Sequence, residues 1–322
     1  MMNKSNRTWM TVLAATAFVV AFVAAPALAA EKYEERFAKT EALAKTGKLY
    51  LSNISGQIDI MVWKEAQVKI EAVKTSKADT AAKAKENAAL VTIEVTKEGD
   101  LVRVETKYPK REGGRFWGGD RINVSVDYKI WVPDQAAVDL KSVSGDITVA
   151  PLGGAAKVDC VSGDVKLRGA AGAEIKLTSG ELEMENIAGD AFIKAVSGGI
   201  TVTKIKGSVE ADAVSGDIEL RDVSEAQSVD LKTVSGNVIY SGSIQAGGRY
   251  ELNAFSGDVR MTIPADATFE FEANTFSGSI DTDFEITVSG KISPKEIRGT
   301  VGKGGATIKL KSFSGNVDLK KK

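Results

Sequence analysis

The residues that follow a recurrent Ser-Gly pair include carboxylates and amides, whose oxygen atoms are the ligands that calcium prefers. Calcium-binding repeat proteins place acidic ligands on nearly every repeat. Here the acidic run is interrupted, and only Asp146 and Asp164 stand in adjacent copies. We therefore expect these side chains to cap the turn through backbone hydrogen bonds, and we predict no metal site. The acidic or amide residues are Asp146, Asp164, Asp217, Asp258, Asn237 and Asn316, and the interrupting ones are Gln57, Glu181, Gly199 and Ser279.

The composition offers few candidates for catalysis. The sequence contains no histidine, which excludes Ser-His-Asp and Cys-His sites and the usual histidine-rich metal sites. Polysaccharide-cleaving enzymes can work with carboxylates, lysine and arginine alone, so that class stays open. The charged residues of the repeats mix both signs, however, and the repeats lack the long insertions that build a cleft. We predict that the protein is not an enzyme and that it has no catalytic residue and no cofactor.

Cys160 is the only cysteine, so the chain cannot form an internal disulfide. It stands three residues before a repeat glycine, in a position that is mostly small in the other copies, as at Ser142, Ala195 and Thr233. We interpret it as a small core residue rather than a reactive thiol.

A glycine-rich loop at residues 108–120 is the best sequence candidate for partner contact. It contains Arg115, Phe116 and Trp117, which are residue types enriched at protein interfaces. The alternative is that Trp117 folds onto the surrounding module while the glycines form an ordinary turn.

The strongest pattern in the chain is the spacing of the Ser-Gly pairs themselves. Nine of the ten pairs lie between residues 144 and 315, and most are 17 to 21 residues apart. A unit this short cannot bury its own apolar face and must stack on copies of itself, which predicts a solenoid. The predicted turn glycines are Gly56, Gly145, Gly163, Gly180, Gly198, Gly216, Gly236, Gly257, Gly278 and Gly315.

Alternating residues on both sides of the glycine predict two short strands per repeat. The second residue after the glycine is aliphatic in all ten copies, and the fifth residue before it is apolar in all ten. The second residue before it is apolar in nine copies, and Phe255, Phe276 and Phe313 are expected to stack there. Glycine permits a positive φ at the bend, and the serine hydroxyl is expected to bond nearby backbone groups. The fold class is therefore an all-β solenoid of about ten short rungs.

The first part of the mature chain, residues 31–135, is less regular and is interpreted as a β-rich capping module. An Ala- and Lys-rich segment at 78–89 predicts one helix, and the turn at Glu98–Asp100 predicts a hairpin. Residues 136–322 form the predicted solenoid domain. Its repeat is interrupted at 287–292, where we expect a hairpin or loop. The last copy ends in Lys320–Lys322, whose charge is expected to discourage strand addition at the end of the rod.

Residues 1–30 are typical of a secretory signal peptide. Lys4 and Arg7 precede an apolar run, and Ala-Pro-Ala-Leu-Ala-Ala ends at residue 30. Its removal leaves 40 of the 42 basic residues against 43 acidic ones, a net charge of −3 that predicts no nucleic-acid partner. No later stretch reaches the length of a membrane-spanning helix. We expect export to the periplasm or the cell surface.

The features that carry a family resemblance are the signal peptide, the segment Leu51–Ile60, the Trp131–Pro133 step and the Val-Ser-Gly-Asp copies starting at Val143, Val161 and Val214. With these features the sequence resembles the bacterial putative-adhesin family of β-strand repeats. The resemblance covers nearly the whole mature chain. It implies an exported β-solenoid of unknown function, similar to the head domains of adhesin-like proteins, with no catalytic motif. We therefore expect an adhesin-like or scaffolding protein that binds an envelope protein or glycan. The alternative is a periplasmic β-helix that binds or processes polysaccharide.

Overall fold

The computed structural model describes residues 30–109, 122–288 and 293–322. Within these ranges the chain forms two long sheets, a first sheet of 13 strands and a second sheet of 14, together with one helix. The apolar side chains of both sheets point between them into one continuous core. The predicted all-β solenoid is confirmed. None of the described helical segments is long and apolar enough to cross a membrane.

The N-terminal elements combine long strands with the helix. They are β1 Glu31–Ala42, β2 Lys48–Ser55, β3 Ile58–Trp63, β4 Gln67–Ala78, α1 Ala81–Ala89, β5 Thr92–Glu98, β6 Leu101–Lys107 and β7 Asn123–Pro133.

The following strands alternate between the second sheet and the first. They are β8 Ala137–Ser144, β9 Ile147–Val149, β10 Ala156–Ser162, β11 Val165–Leu167, β12 Ala173–Ser179, β13 Leu182–Ile187, β14 Ala191–Ser197, β15 Ile200–Ile205, β16 Val209–Ser215, β17 Ile218–Val223, β18 Ser228–Ser235, β19 Val238–Gly242, β20 Arg249–Ser256 and β21 Val259–Ile263. The last six are β22 Phe269–Ser277, β23 Ile280–Thr282, β24 Thr287–Val288, β25 Glu296–Val301, β26 Ala306–Ser314 and β27 Val317–Lys321.

One rung of the solenoid consists of a strand in the second sheet, a Ser-Gly corner and a strand in the first sheet. Neighbouring rungs pair in parallel and in register, so equivalent residues stack, as Val158, Ile175 and Ile193 do. These three side chains are buried, and full burial of such a side chain contributes about 1.5–3 kcal/mol. The repeat thus becomes stable only through stacking, because each rung's apolar residues are covered by the opposite sheet and by adjacent rungs.

The N-terminal module supplies the first rung and extends both sheets beyond it. β2 and β3 pair in parallel with β8 and β9, so the corner at Gly56 stacks on the corner at Gly145. β7, β4 and β1 continue the first sheet, and β6 and β5 continue the second as the predicted hairpin. Helix α1 begins later than the sequence suggested, because Ala78 still pairs with Glu31 and Thr80 caps the helix.

The last copies do not stack in the order in which they occur in the chain. β26 lies between β20 and β22, and β27 lies between β21 and β23. The copy at Gly315 is therefore the ninth rung and the copy at Gly278 is the tenth. The expectation that Lys320–Lys322 closes the rod was wrong, since Lys320 pairs with Asp281 in the terminal rung. The irregular segment forms the expected hairpin, in which β25 pairs with β22 and β24 pairs with β25; residues 289–292 are outside the described ranges.

Candidate functional site

The ten predicted turn glycines all lie at the corners between the two sheets. All of them except Gly278 have φ between 117° and 158°. A Cβ atom at Gly145 would lie 2.2 Å from the carbonyl oxygen of Gly56 in the previous rung, and most later corners repeat this approach. Glycine is therefore required at these corners by the backbone conformation and by the close stacking of successive corners.

The corner backbone is paired with the neighbouring rung rather than with the serine side chain. The Gly145 N–H donates to the Ser162 carbonyl oxygen at 2.9 Å, and later corners do the same. In the described ranges none of the corner serine hydroxyls makes a hydrogen bond to another protein group. The expectation that these hydroxyls bond nearby backbone groups was therefore wrong. The residue three before the glycine often caps the corner instead. The Thr233 hydroxyl, for example, donates to the Gly216 carbonyl oxygen at 3.1 Å.

The carboxylates after the glycines form a ladder of hydrogen bonds along the rod. An Asp146 oxygen accepts from the Asp164 N–H at 2.9 Å, and an Asp164 oxygen accepts from the Glu181 N–H at 2.9 Å. Glu181 caps Gly199 in the same way at 2.8 Å. The expected capping is present, but it reaches the next rung instead of the residue's own turn. Over residues 30–109, 122–288 and 293–322, no three Cys, Asp or Glu side chains converge as a potential metal site.

Cys160 belongs to the core, as predicted. Its side chain is 3% exposed, and its sulfur faces the carbonyl oxygens of Gly145 and Gly163 at 4.0 and 3.9 Å. Burial raises the pKa of the thiol to about 11. The thiolate needed for nucleophilic chemistry is therefore suppressed at neutral pH.

The most distinctive surface is a column of apolar side chains two residues before the corner glycines. Each is between 42% and 72% exposed, and they follow the second sheet along its corner edge. Only the fourth rung departs from the pattern, with Thr178. We call this column the apolar ladder; its members, in stacking order, are Ile54, Val143, Val161, Val196, Val214, Val234, Phe255, Phe313 and Phe276.

The aromatic end of the ladder borders a groove. Phe313 stacks between Phe255 and Phe276 with ring centroids 4.8 Å apart on each side, so the predicted stack is confirmed. The three rings follow the spatial order of the rungs and not their order in the sequence. The rings form one wall of a groove of about 670 Å³, which we call the aromatic groove. The amides of Asn253 and Asn274 lie among its other lining residues.

Charged side chains on the outer face of the second sheet are largely paired with one another. Lys157 contacts Glu174 at 2.8 Å across two rungs, and Lys232 contacts Asp230 at 2.6 Å within one strand. The hydrogen bond from Lys157 holds the pKa of Glu174 below its usual value. The face beside the apolar ladder therefore lacks a strong field of one sign, and apolar contact is its main binding chemistry.

Sequence reasoning did not identify the apolar ladder as a surface, although the signal was present. Once the residues five and three before the glycine are assigned to the core, alternation places the residue two before it outside. An apolar column at an outward position was thus visible in the aligned copies. The predicted contact residues Arg115, Phe116 and Trp117 lie outside the described residues.

A family model described as Toastrack DUF4097 matches residues 47–243 and 228–320. The two matches together include every rung of the solenoid. No protein of curated function matches the chain.

The chain is also similar to several solved structures of bacterial proteins. A putative adhesin from Bacteroides fragilis is 11% identical, with 88% of this chain and 97% of that chain covered and a TM-score of 0.44. A putative adhesin from Parabacteroides distasonis is 15% identical, with the same coverages and a TM-score of 0.39. A protein described as a putative lipid binding protein, also from Parabacteroides distasonis, is 12% identical, with 88% and 96% covered and a TM-score of 0.26.

Proposed function

This chain belongs to the Toastrack DUF4097 family, and we propose that it is an exported, non-catalytic β-solenoid that acts as an adhesin-like or scaffolding protein at the cell envelope. The apolar ladder is the surface through which it binds its partner. Binding rests on shape and on repeated weak contacts, without bond making or breaking.

The observation that carries this proposal is the concentration of exposed apolar side chains in one column. Nine of the 13 exposed large apolar side chains among the described residues belong to the apolar ladder. Apolar residues scattered singly over a surface are ordinary, whereas a contiguous apolar strip marks an interaction site. The ladder therefore favours a partner with an extended surface over a small ligand.

The ladder is well suited to binding because its side chains are already ordered. Equivalent residues repeat at the strand spacing of ~4.8 Å on a rigid sheet. Valine and isoleucine in strands have few rotamers, so they lose little entropy when a partner covers them. Preorganisation of this kind lets many small contacts add up to useful affinity.

Export is the second part of the proposal and rests on residues 1–30. The pattern of Lys4, Arg7, the apolar run and the alanine-rich end supports cleavage after Ala29 or Ala30. The measurement is the N-terminal sequence of the protein recovered from envelope fractions. A chain that still begins at Met1 would contradict export by this route.

The ladder is tested by replacing its five valines, Val143, Val161, Val196, Val214 and Val234, with threonine. Threonine keeps the shape and the strand preference, and Thr178 already occupies the equivalent position in the fourth rung. Immobilised wild-type and five-fold variant proteins are incubated with envelope fractions, and retained proteins and glycans are quantified by mass spectrometry. We expect retention of the partner to fall at least tenfold.

The matched control carries Met61→Thr and Ile239→Thr on the outer face of the first sheet. Both are apolar residues on strands but lie away from the apolar ladder. The control should retain the partner as the wild type does. Equal retention by the folded five-fold variant and the wild type would refute the ladder as the binding surface.

A polysaccharide-binding protein is the second candidate, and the aromatic groove favours it. Aromatic rings and amides, here Phe276 with Asn253 and Asn274, offer both apolar and hydrogen-bonding contacts to a sugar chain. Isothermal titration with envelope polysaccharides, using wild type and Phe276→Ser, tests this candidate. A soluble sugar product would indicate processing, whereas binding unaffected by Phe276→Ser would remove the groove from consideration.

A further inference from the structure

The ninth rung fills a slot between two rungs that precede it in the sequence. We call β26 and β27, Ala306–Lys321, the inserted rung. β26 pairs along its length with β20 on one side and β22 on the other, and β27 does the same with β21 and β23. The walls of the slot are thus built by residues 249–282, and one later contiguous segment fills it.

We propose that the inserted rung exchanges between two copies of this chain, each rung filling the slot of the other copy in a reciprocal dimer. The contacts inside the slot are the same in both forms. They include two backbone hydrogen bonds: the Val259 N–H donates to the Asn316 carbonyl oxygen at 2.9 Å, and the Gly315 N–H donates to the Ser277 carbonyl oxygen at 3.0 Å. The balance between monomer and dimer is therefore decided by the hinge and by the entropy of association.

The hinge is the four-residue connection from β25 to β26, residues 302–305. Val301 and Ala306 both pair with Phe269 but from opposite sides of β22, so the connection must cross the end of that strand. Its glycines at 302, 304 and 305 have φ of 62°, 74° and 143°. The closed monomer needs these left-handed conformations, whereas an extended hinge in the exchanged dimer does not. Glycine adopts these conformations without strain, so in the wild type it is the shortness of the hinge that favours exchange.

The exchanged dimer joins two rods and places two apolar ladders in one assembly. Two linked binding surfaces hold a repetitive partner more tightly than either surface alone. The exchange itself does not depend on what the ladder binds, so the two proposals stand or fall separately.

The exchange is tested by whether an engineered disulfide forms within one chain or between two chains. The experiment uses full-length protein carrying Cys160→Ala, so that the engineered cysteines are the only thiols. The pair Phe255→Cys and Phe313→Cys lies on adjacent rungs at the strand spacing of ~4.8 Å, which a disulfide can span. Oxidation links two chains in the exchanged dimer and one chain in the closed monomer. The matched control is Val214→Cys with Val234→Cys, whose two strands stay in one chain in both forms.

The hinge is perturbed by Gly304→Ala. A Cβ atom there would meet no atom closer than 3.6 Å, so the substitution strains the backbone without a clash. Alanine in this left-handed conformation disfavours the closed monomer about tenfold. Because each dimer forms from two closed monomers, the dissociation constant of the exchanged dimer should fall about 100-fold. Inserting Gly-Ser-Gly after Lys303 relaxes the hinge and should shift the population toward monomer. Light scattering after size exclusion gives both populations.

The wild-type hinge supplies an independent measurement. The Phe255→Cys, Phe313→Cys protein is refolded at high and at low protein concentration and then oxidised. We expect interchain links at high concentration, intrachain links at low concentration, and only intrachain links in the control pair. Intrachain links at every concentration would overturn the proposal even if Gly304→Ala failed to fold. A dimer whose Phe255→Cys, Phe313→Cys link stays intrachain would assign association to another surface.

Discussion

Gly216 provides the sharpest test of how the corners hold the solenoid together. Its φ is 141°, and a Cβ atom would lie 2.1 Å from the carbonyl oxygen of Gly198 in the previous rung. Gly216→Ala therefore adds backbone strain of about 1–3 kcal/mol. It must also push this corner away from the Gly198 corner, which weakens the hydrogen bond from the Gly198 N–H to the Ser215 carbonyl oxygen, 3.0 Å long, at a cost of about 1 kcal/mol. With the disturbed packing of neighbouring rungs, we expect a loss of about 3–5 kcal/mol.

Gly99→Ala is the matched control because it separates strain from stacking. Gly99 has a φ of 58°, but nothing lies within 4 Å of its would-be Cβ atom. The left-handed conformation alone should cost about 1 kcal/mol. Urea unfolding followed by circular dichroism gives both free energies. If the two substitutions differ by less than about 0.5 kcal/mol, close stacking at the corner does not explain the glycine.

Three further predictions concern other parts of the chain. Lys204 has a φ of 59°, and Asn186 occupies the same place one rung earlier, so Lys204→Asn should stabilise the protein by about 0.5–1 kcal/mol in urea unfolding. Burial raises the pKa of Cys160 from 9.0 to about 11. Because the unfolded chain loses this proton first, stability should fall between about pH 9 and 11, and Cys160→Ala should lessen the fall in urea midpoint. Replacing Arg115, Phe116 and Trp117 together by serine should leave the melting temperature unchanged and weaken partner binding by about 2 kcal/mol; loss of folding would place Trp117 in the module's core.

The solenoid was predictable because each repeat carries the same alternation, which only a stack of strands can bury. The stacking order of the last rungs was not predictable from that pattern. Phe255, Phe276 and Phe313 occupy the same outward column and fit it equally well in any order. What decides the order is the connection between strands, where the hairpin beside β22 returns the chain to the interior of the stack. Such connections leave no periodic signal.

The corner chemistry was predictable in type but not in partner. A turn containing Ser and Gly suggests local hydrogen bonds, yet in a parallel stack the nearest unpaired group belongs to the next rung. This is why Asp146 bonds Asp164 rather than its own turn, and why Thr233 caps Gly216. Periodicity along one chain identifies equivalent positions, whereas their contacts depend on how the copies are stacked.

The apolar ladder has a competing explanation in strand stability. Valines stacked in register shield one another and favour strand conformation. The outer face of the first sheet argues against this explanation, because Thr148, Thr201 and Glu219 serve there as strand residues without exposing large apolar groups. If the ladder were structural, each Val→Thr change would cost about 1 kcal/mol, and the five-fold variant about 5 kcal/mol. If it is a binding surface, exchanging the half-exposed valines for threonine should cost little in folding, about 1–2 kcal/mol for all five changes together. A loss above about 3 kcal/mol in urea unfolding, with partner retention intact in the folded fraction, would assign the ladder to stability.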